Sequence, residues 1–370
     1  MLLSNQNLPA GLDEGQGSGE HVMLFSPWYY GHHPSYLRHL ILYWIQRQLS
    51  GRLDIVVMPS FVDKHGDVVA LAEEQPNIRF IAITPEEQAR LESTPSSLGK
   101  AFVQYQLIAH YAKRLRATHG VLMHFDSCQM PFMLGLRLPC SFSAVCFRLT
   151  FHYKYFSNYT PTWKERIQQF REQVFLDRLL AHPQFRVLFC LDPLAVPLLN
   201  RYRNRKAEAV YLPDPVELIT ASEVAASQLR QRLGIESDRK VFLAFGVLAD
   251  GRKGTRQLLE AVSLLTSQVQ HKLCILLAGE PFEAGQATLE EWLMPLRQLP
   301  VQIVTRFGYL PEAEVPLYFK LADVVVAPYQ KPAGMSGLLL LAAVAQKPVL
   351  TSGHRSRRTL DSSYTLPKHA

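Results

Sequence analysis

The stretch from Val241 to Glu280 constrains this chain more than any other. It opens with the apolar run Val241-Phe242-Leu243-Ala244-Phe245-Gly246, which has the length and the aromatic and β-branched content of a buried parallel strand. A short polar loop follows, Ala249-Asp250-Gly251-Arg252-Lys253-Gly254-Thr255. Leu258, Leu259, Ala261, Val262, Leu264 and Leu265 then recur at helical spacing, and Leu273 to Gly279 reads as a second buried strand. The pattern is a βαβ unit.

The loop between the first strand and the helix is where chemistry belongs. In an open parallel sheet, ligands collect at the carboxyl ends of strands, where a helix N-terminus offers free N–H groups and positive dipole charge. Gly251 and Gly254 allow close backbone approach and Arg252 and Lys253 add full positive charges, so an anion such as a diphosphate is the natural guest. The spacing is neither Walker A nor GxGxxG, and a solvated basic loop is the competing reading.

Further elements follow in a set order. Gly308-Tyr309-Leu310-Pro311 precedes a helix-like segment around Tyr318 and Phe319, and Ala322-Asp323-Val324-Val325-Val326-Ala327-Pro328-Tyr329 makes a strand and turn. Ser336-Gly337, an apolar run from Leu338 to Ala345, and Lys347-Pro348-Val349-Leu350 complete the series. Together with Phe245-Gly246, Lys253-Gly254 and Ala278-Gly279, this order resembles the nucleotide-sugar-binding half of GT-B glycosyltransferases, in particular glycosyltransferase family 4. The resemblance implies an α/β protein of two Rossmann-like domains facing a cleft. It also implies donor contacts from Gly246, Arg252, Lys253, Gly254, Gly308, Tyr309, Ser336 and Gly337, and transfer with retention of anomeric configuration.

The resemblance has gaps. Family members usually carry two glutamates eight positions apart, the second commonly on the donor ribose; aligned on Gly334 and Lys347-Pro348, those places hold Ala333 and Leu341. The arginine that often follows the first strand's glycine is replaced by Val247. From His354 to Ala370 strand and helix periodicity is lost, so a shortened or truncated C-terminal domain is expected.

In the other half, His21 to Ser26 is the expected first strand, and Leu53–Met58, Ile78–Ile83, Val121–Met123 and Ser143–Phe147 are further strands. The turn after the first strand holds Gly31, His32 and His33, where the family carries a glycine-rich turn near donor and acceptor. Gly31 and His32, or else His33, are therefore candidate acceptor or phosphate contacts, against a capping or surface role for the histidines. Asp126 and His152 follow strand ends and are candidates for acceptor positioning or proton transfer, against a structural role for each.

Thr160 to Leu180 reads as an amphipathic helix whose stripe Trp163, Ile167, Phe170, Val174 and Phe175 is expected in the core, with a membrane-docking face as the lesser reading. Arg186 to Pro193 is expected to be the last strand and turn of this half. The cluster Arg201, Arg203, Arg205 and Lys206 reads as solvated surface, or as a contact for an anionic membrane or lipid-linked acceptor. Tyr211-Leu212-Pro213-Asp214-Pro215 stiffens the chain, which sets expected boundaries: a flexible lead-in over 1–20, an acceptor-side domain over 21–212 and a nucleotide-sugar domain over 213–370.

Composition bears on partners and place. The formal net charge of +7 favours an anionic partner. No zinc spacing, RNA-binding aromatic signature or basic tail is present, which argues against nucleic acid. The five cysteines form no CxxC pair and read as reduced core residues; the first twenty residues do not read as a signal peptide, and no apolar run reaches spanning length. These features imply a cytoplasmic chain, or one at the inner face of the membrane through peripheral contact. The expected function is sugar transfer from a nucleotide diphosphate sugar to a glycan, lipid-linked or small-molecule acceptor, with no cofactor and no metal. The alternative is a GT-B scaffold that binds a nucleotide or a protein partner without turnover.

Overall fold

The computed structural model describes residues 20–31, 33–153, 161–215, 221–249, 253–281, 283–311, 314–330 and 336–352. Among the calls above, His32, Gly251, Arg252, Ala333 and Gly334 lie outside the described residues, as does the tail from 353 onward. The chain divides into two compact units, one of 1–149 with 167–213 and one of 150–166 with 214–370.

The first unit is built on seven parallel strands: β1 (His21–Ser26), β2 (Arg52–Val57), β3 (Ile78–Ala82), β4 (His119–Leu122), β5 (Ser141–Cys146), β6 (Phe185–Cys190) and β7 (Glu208–Tyr211). Their order across the sheet is β3-β2-β1-β4-β5-β6-β7. Parallel strands buried on both faces require apolar side chains throughout, and β1 and β2 each place four or more consecutive residues inside. The sequence misses β7, which pairs with β6 in register Val187 to Glu208. Four residues opening on an exposed glutamate give little pattern to read, and the expected last strand is the last but one.

The second unit repeats the plan with β8 (Lys240–Phe245), β9 (Leu273–Gly279), β10 (Gln302–Phe307), β11 (Val324–Ala327) and β12 (Val349–Thr351), in the order β10-β9-β8-β11-β12. Edge strand β10 also escapes sequence reading, because most of its residues are half-buried and Thr305 and Arg306 face water. One core on this sheet joins Leu243, Leu276 and Val325 to Phe319 and Leu338; another joins Ala244, Leu277 and Val326 to Leu259 and Leu293.

In both sheets the chain starts in the middle, winds one way, then returns to wind the other. The strand order reverses between β1 and β4 in the first unit and between β8 and β11 in the second. At such a switch point the loops leave in opposite directions and open a crevice at the carboxyl ends, where ligands bind.

The helix Trp163–Leu180 corrects one expectation. It buries Gln169, Leu176, Leu179 and Leu180, while Trp163, Ile167, Phe170 and Val174 are exposed. Both sides of this helix carry apolar residues, so periodicity alone does not select the side that packs.

Candidate functional site

The second unit's switch point is shaped by glycines. Gly246 follows β8, Gly279 ends β9 and Gly308 follows β10, with φ of 101°, 133° and 108°. These three neighbouring strand ends turn in a region that only glycine enters freely. They are also knitted together: the Gly246 N–H donates to the Ala278 carbonyl at 2.9 Å, and the Gly308 N–H to the Gly279 carbonyl at 3.1 Å. A Cβ on Gly279 would stand 2.1 Å from the Gly246 carbonyl oxygen, so the two backbones touch with no room between them.

Lys253 and Gly254 form the entry to the helix Thr255–Ser263. Gly254 takes φ of 74°, and a Cβ there would lie 2.0 Å from the Pro328 carbonyl oxygen, which ties this loop to the end of β11. The Lys253 ammonium donates to the Tyr329 hydroxyl at 3.1 Å and lies 4.9 Å from the centre of the Tyr329 ring. Tyr329 shares a second hydrogen bond of 2.8 Å with the Ser336 hydroxyl, and its carbonyl accepts from the Ser352 hydroxyl. The structure thus brings Gly246, Lys253, Gly254 and Ser336 together across the β8–β11 switch point. Gly308 sits two strands away, and Tyr309 beside it is exposed.

Two helices begin here, Thr255–Ser263 and Gly337–Val344, and neither has a side chain bonded to its first N–H groups. Uncapped N–H donors with the positive ends of two dipoles, beside a lysine ammonium, form an environment for an anion with several oxygens. Leu341 lies on the second of these helices and packs against the core, so no carboxylate occupies that place.

The first unit gathers a different set at its own switch point. Ser26 ends β1, and its hydroxyl lies 2.7 Å from Nδ1 of the buried His33. The His33 ring stacks on Phe147, beyond β5, with centroids 5.7 Å apart, and the His124 ring, beyond β4, stacks on the same Phe147 at 5.3 Å. Trp28 meets His124 edge-on at 6.2 Å. Nδ1 of His124 is buried without a hydrogen-bond partner, and burial holds the imidazole below its ordinary pKa.

Asp126 lies beside this group with its carboxylate engaged. It accepts from the Phe147 N–H at 2.8 Å, from the Arg148 N–H at 3.0 Å and from the Cys146 thiol at 3.3 Å. The carboxylate therefore holds the end of β5 and the Phe147 ring that the histidines stack on. Gly31 takes φ of 70° in the turn before the helix His33–Gln46 and faces open space. His152 is buried between the flanking rings of Phe151 and Tyr153, with centroids 5.3 and 4.8 Å away, and belongs to the other compact unit from Asp126.

The sequence left His32 or His33 open as a contact, and it singled out Asp126 rather than the neighbouring His124. The signal for His33 and His124 was available in principle, since both follow strands that flank a switch point. Choosing between His32 and His33 required the phase of the helix, which starts at His33. Among the described residues no group of three or more His, Cys, Asp or Glu side chains could hold a metal ion.

The two parallel sheets, which share one strand order, make a GT-B fold. Residues 239–364, the stretch that carries the second sheet with Lys253, Gly254 and Ser336, match the model of the family Glycosyl transferases group 1. No curated protein matches the chain. Among solved structures, the N-terminal domain of trehalose-6-phosphate phosphatase from Candida albicans is similar at a TM-score of 0.64 and 13% identity, over 94% of this chain and 86% of that one. Sucrose-phosphate synthase from Thermosynechococcus elongatus gives 0.62 and 15%, over 91% and 82%. HepE from Anabaena in complex with UDP and glucose gives 0.58 and 15%, over 92% and 83%. Identities this low carry the fold alone.

Proposed function

We propose that this chain transfers a sugar from a nucleotide diphosphate sugar to an acceptor. The observation that carries the reading is the Lys253 ammonium, held by Tyr329 at the start of an uncapped helix within the stretch that matches the Glycosyl transferases group 1 model. As the glycosidic bond to the donor breaks, negative charge grows on the leaving diphosphate. A fixed ammonium and oriented N–H groups stabilise that charge more than the ground state, which is electrostatic catalysis without a metal. Arg252 adds a second cation from the same loop. Gly246, Gly308 and Tyr309 form the strand-end floor on which the donor lies, and Gly337 opens the second helix to it.

The acceptor is a glycan, a lipid-linked glycan or a small hydroxylated molecule. Gly31 and His32 remain proposed acceptor or phosphate contacts, and Asp126 and His152 are proposed, each within its own unit, for acceptor positioning or proton transfer, with the His33–His124 cluster beside Asp126. Retention of anomeric configuration is supported by the family resemblance. Binding without turnover is the second reading, favoured by Leu341, which offers the donor ribose no carboxylate.

The test is calorimetric titration with UDP, GDP and ADP, alongside hydrolysis of the matching nucleotide sugars. UDP and UDP-glucose come first because HepE is known in complex with both. Saturable binding of one nucleotide with slow hydrolysis of its sugar is expected. Binding with no hydrolysis and no transfer to any acceptor would favour the scaffold, and absence of binding by folded protein would remove the donor site.

A further inference from the structure

We propose that the exposed side of the helix Trp163–Leu180, with the basic loop that abuts its end, docks this chain on an anionic lipid surface. Trp163, Ile167, Phe170 and Val174 follow at intervals of four, three and four residues, so they form one stripe along the helix. Their relative exposures are 68, 51, 67 and 38%. A continuous apolar stripe with two large aromatic rings in water marks a contact surface rather than ordinary solvated exterior.

Charge identifies the occupant. With 3.6 residues per turn, Arg166 falls on one flank of the stripe and Lys164, Arg171 and Arg178 on the other, and all four are exposed. Glu165 and Glu172 project on the opposite side and are only half-exposed; Asp177 is the exposed acid of the helix. Further cations arrive from a separate part of the chain. The N–H groups of Lys206 and Ala207 donate to the Leu180 carbonyl at 2.5 and 3.0 Å, which sets the exposed Arg201, Arg203, Arg205 and Lys206 at the helix's C-terminal end.

Rings and aliphatic chains flanked by Arg and Lys suit the boundary between headgroups and acyl chains. The apolar stripe enters that boundary, while guanidinium and ammonium groups pair with lipid phosphates. A second copy of this chain fits less well, because a two-fold contact through this stripe would bring the same cations face to face. No helix among the described residues is long and apolar enough to cross a membrane, so the contact is one of lying on the surface. The inference does not depend on the glycosyl-transfer reading.

The experiment is co-sedimentation of the purified full chain with phosphatidylcholine vesicles, with and without phosphatidylglycerol. At least tenfold preference for the anionic vesicles is expected, weakening as salt is raised. A Trp163→Ser, Phe170→Ser double variant should lose binding to both. Arg201→Ala, Arg203→Ala, Arg205→Ala should lose the anionic preference. Quenching of wild-type fluorescence by lipids brominated in their acyl chains, less the quenching that survives in Trp163→Phe, should show Trp163 inside the boundary without any disruptive change. Equal binding to both vesicles, no binding, or a solution dimer abolished by the double variant would each overturn the proposal.

Discussion

Lys253 makes the sharpest demand on a single side chain, because Tyr329 holds its ammonium at the β8–β11 switch point. Lys253→Ala should weaken nucleotide diphosphate binding at least tenfold, from loss of a charge-assisted contact of about 1.5 to 3 kcal/mol. Titration with UDP measures this, and unchanged affinity would place the anion elsewhere. The basic loop was legible in sequence only as a candidate, since a solvated Gly-Arg-Lys-Gly turn competes with an anion site. Its partner was not: Tyr329 lies 76 positions away and meets Lys253 only because β8 and β11 are neighbours in the sheet. The histidines make a second demand at this scale. Burial lowers the pKa of His124, and burial is also the leading cause at His119 and His182. Below the unfolded-state value of about 6.5, the unfolded chain binds more protons than the folded one, so stability falls as pH falls through that range. The melting temperature should therefore drop between about pH 7 and about pH 5.5, and His124→Gln should make the drop shallower, as a thermal melt series would show. Equal slopes for the two proteins would mean that His124 takes up its proton alike in the folded and unfolded chains.

At the scale of elements, the strand ends decide whether a site exists at all. Gly279→Ala puts a Cβ against the Gly246 carbonyl, a backbone atom held by its own hydrogen-bonded strand, so neither side can yield cheaply. A loss of about 3 kcal/mol is expected from urea denaturation, combining overpacking with unfavourable φ. Gly31→Ala, also at positive φ but facing open space, should cost only about 1 kcal/mol. Similar costs at the two positions would show that the close approach contributes nothing. Elements buried on both faces were readable because an unbroken apolar run has no solvent-facing alternative, as in Leu273 to Gly279. Elements at margins were not. Strand β10 mixes half-buried and exposed positions, β7 is four residues long, and the Trp163–Leu180 helix has apolar residues on both its packed and its open sides. In each case burial is set by what lies alongside, which local pattern does not record.

At the scale of the whole molecule, the two sheets share one winding order but hold separate cores. Leu24, Ile55 and Val145 belong to a core of the first unit, and Leu243, Leu276 and Val325 to one of the second. The shared order follows from the right-handed βαβ crossover, which leaves few ways to arrange strands once their existence is read. Separate cores mean that each unit has its own apolar burial to support folding. A ligand that binds only residues of the second unit should then stabilise that unit alone. In calorimetry, UDP at about a hundred times its dissociation constant should add about 2.7 kcal/mol to one unfolding transition and leave the other where it was. Lys253→Ala at the same UDP concentration should remove most of that shift while keeping both transitions. If UDP raises both transitions together in the wild type, the nucleotide engages side chains of both units, and the His33–His124 cluster becomes the first place to look for them. A fold that melts as one transition with and without UDP would instead show that the two cores, though separate in composition, unfold as a single cooperative body.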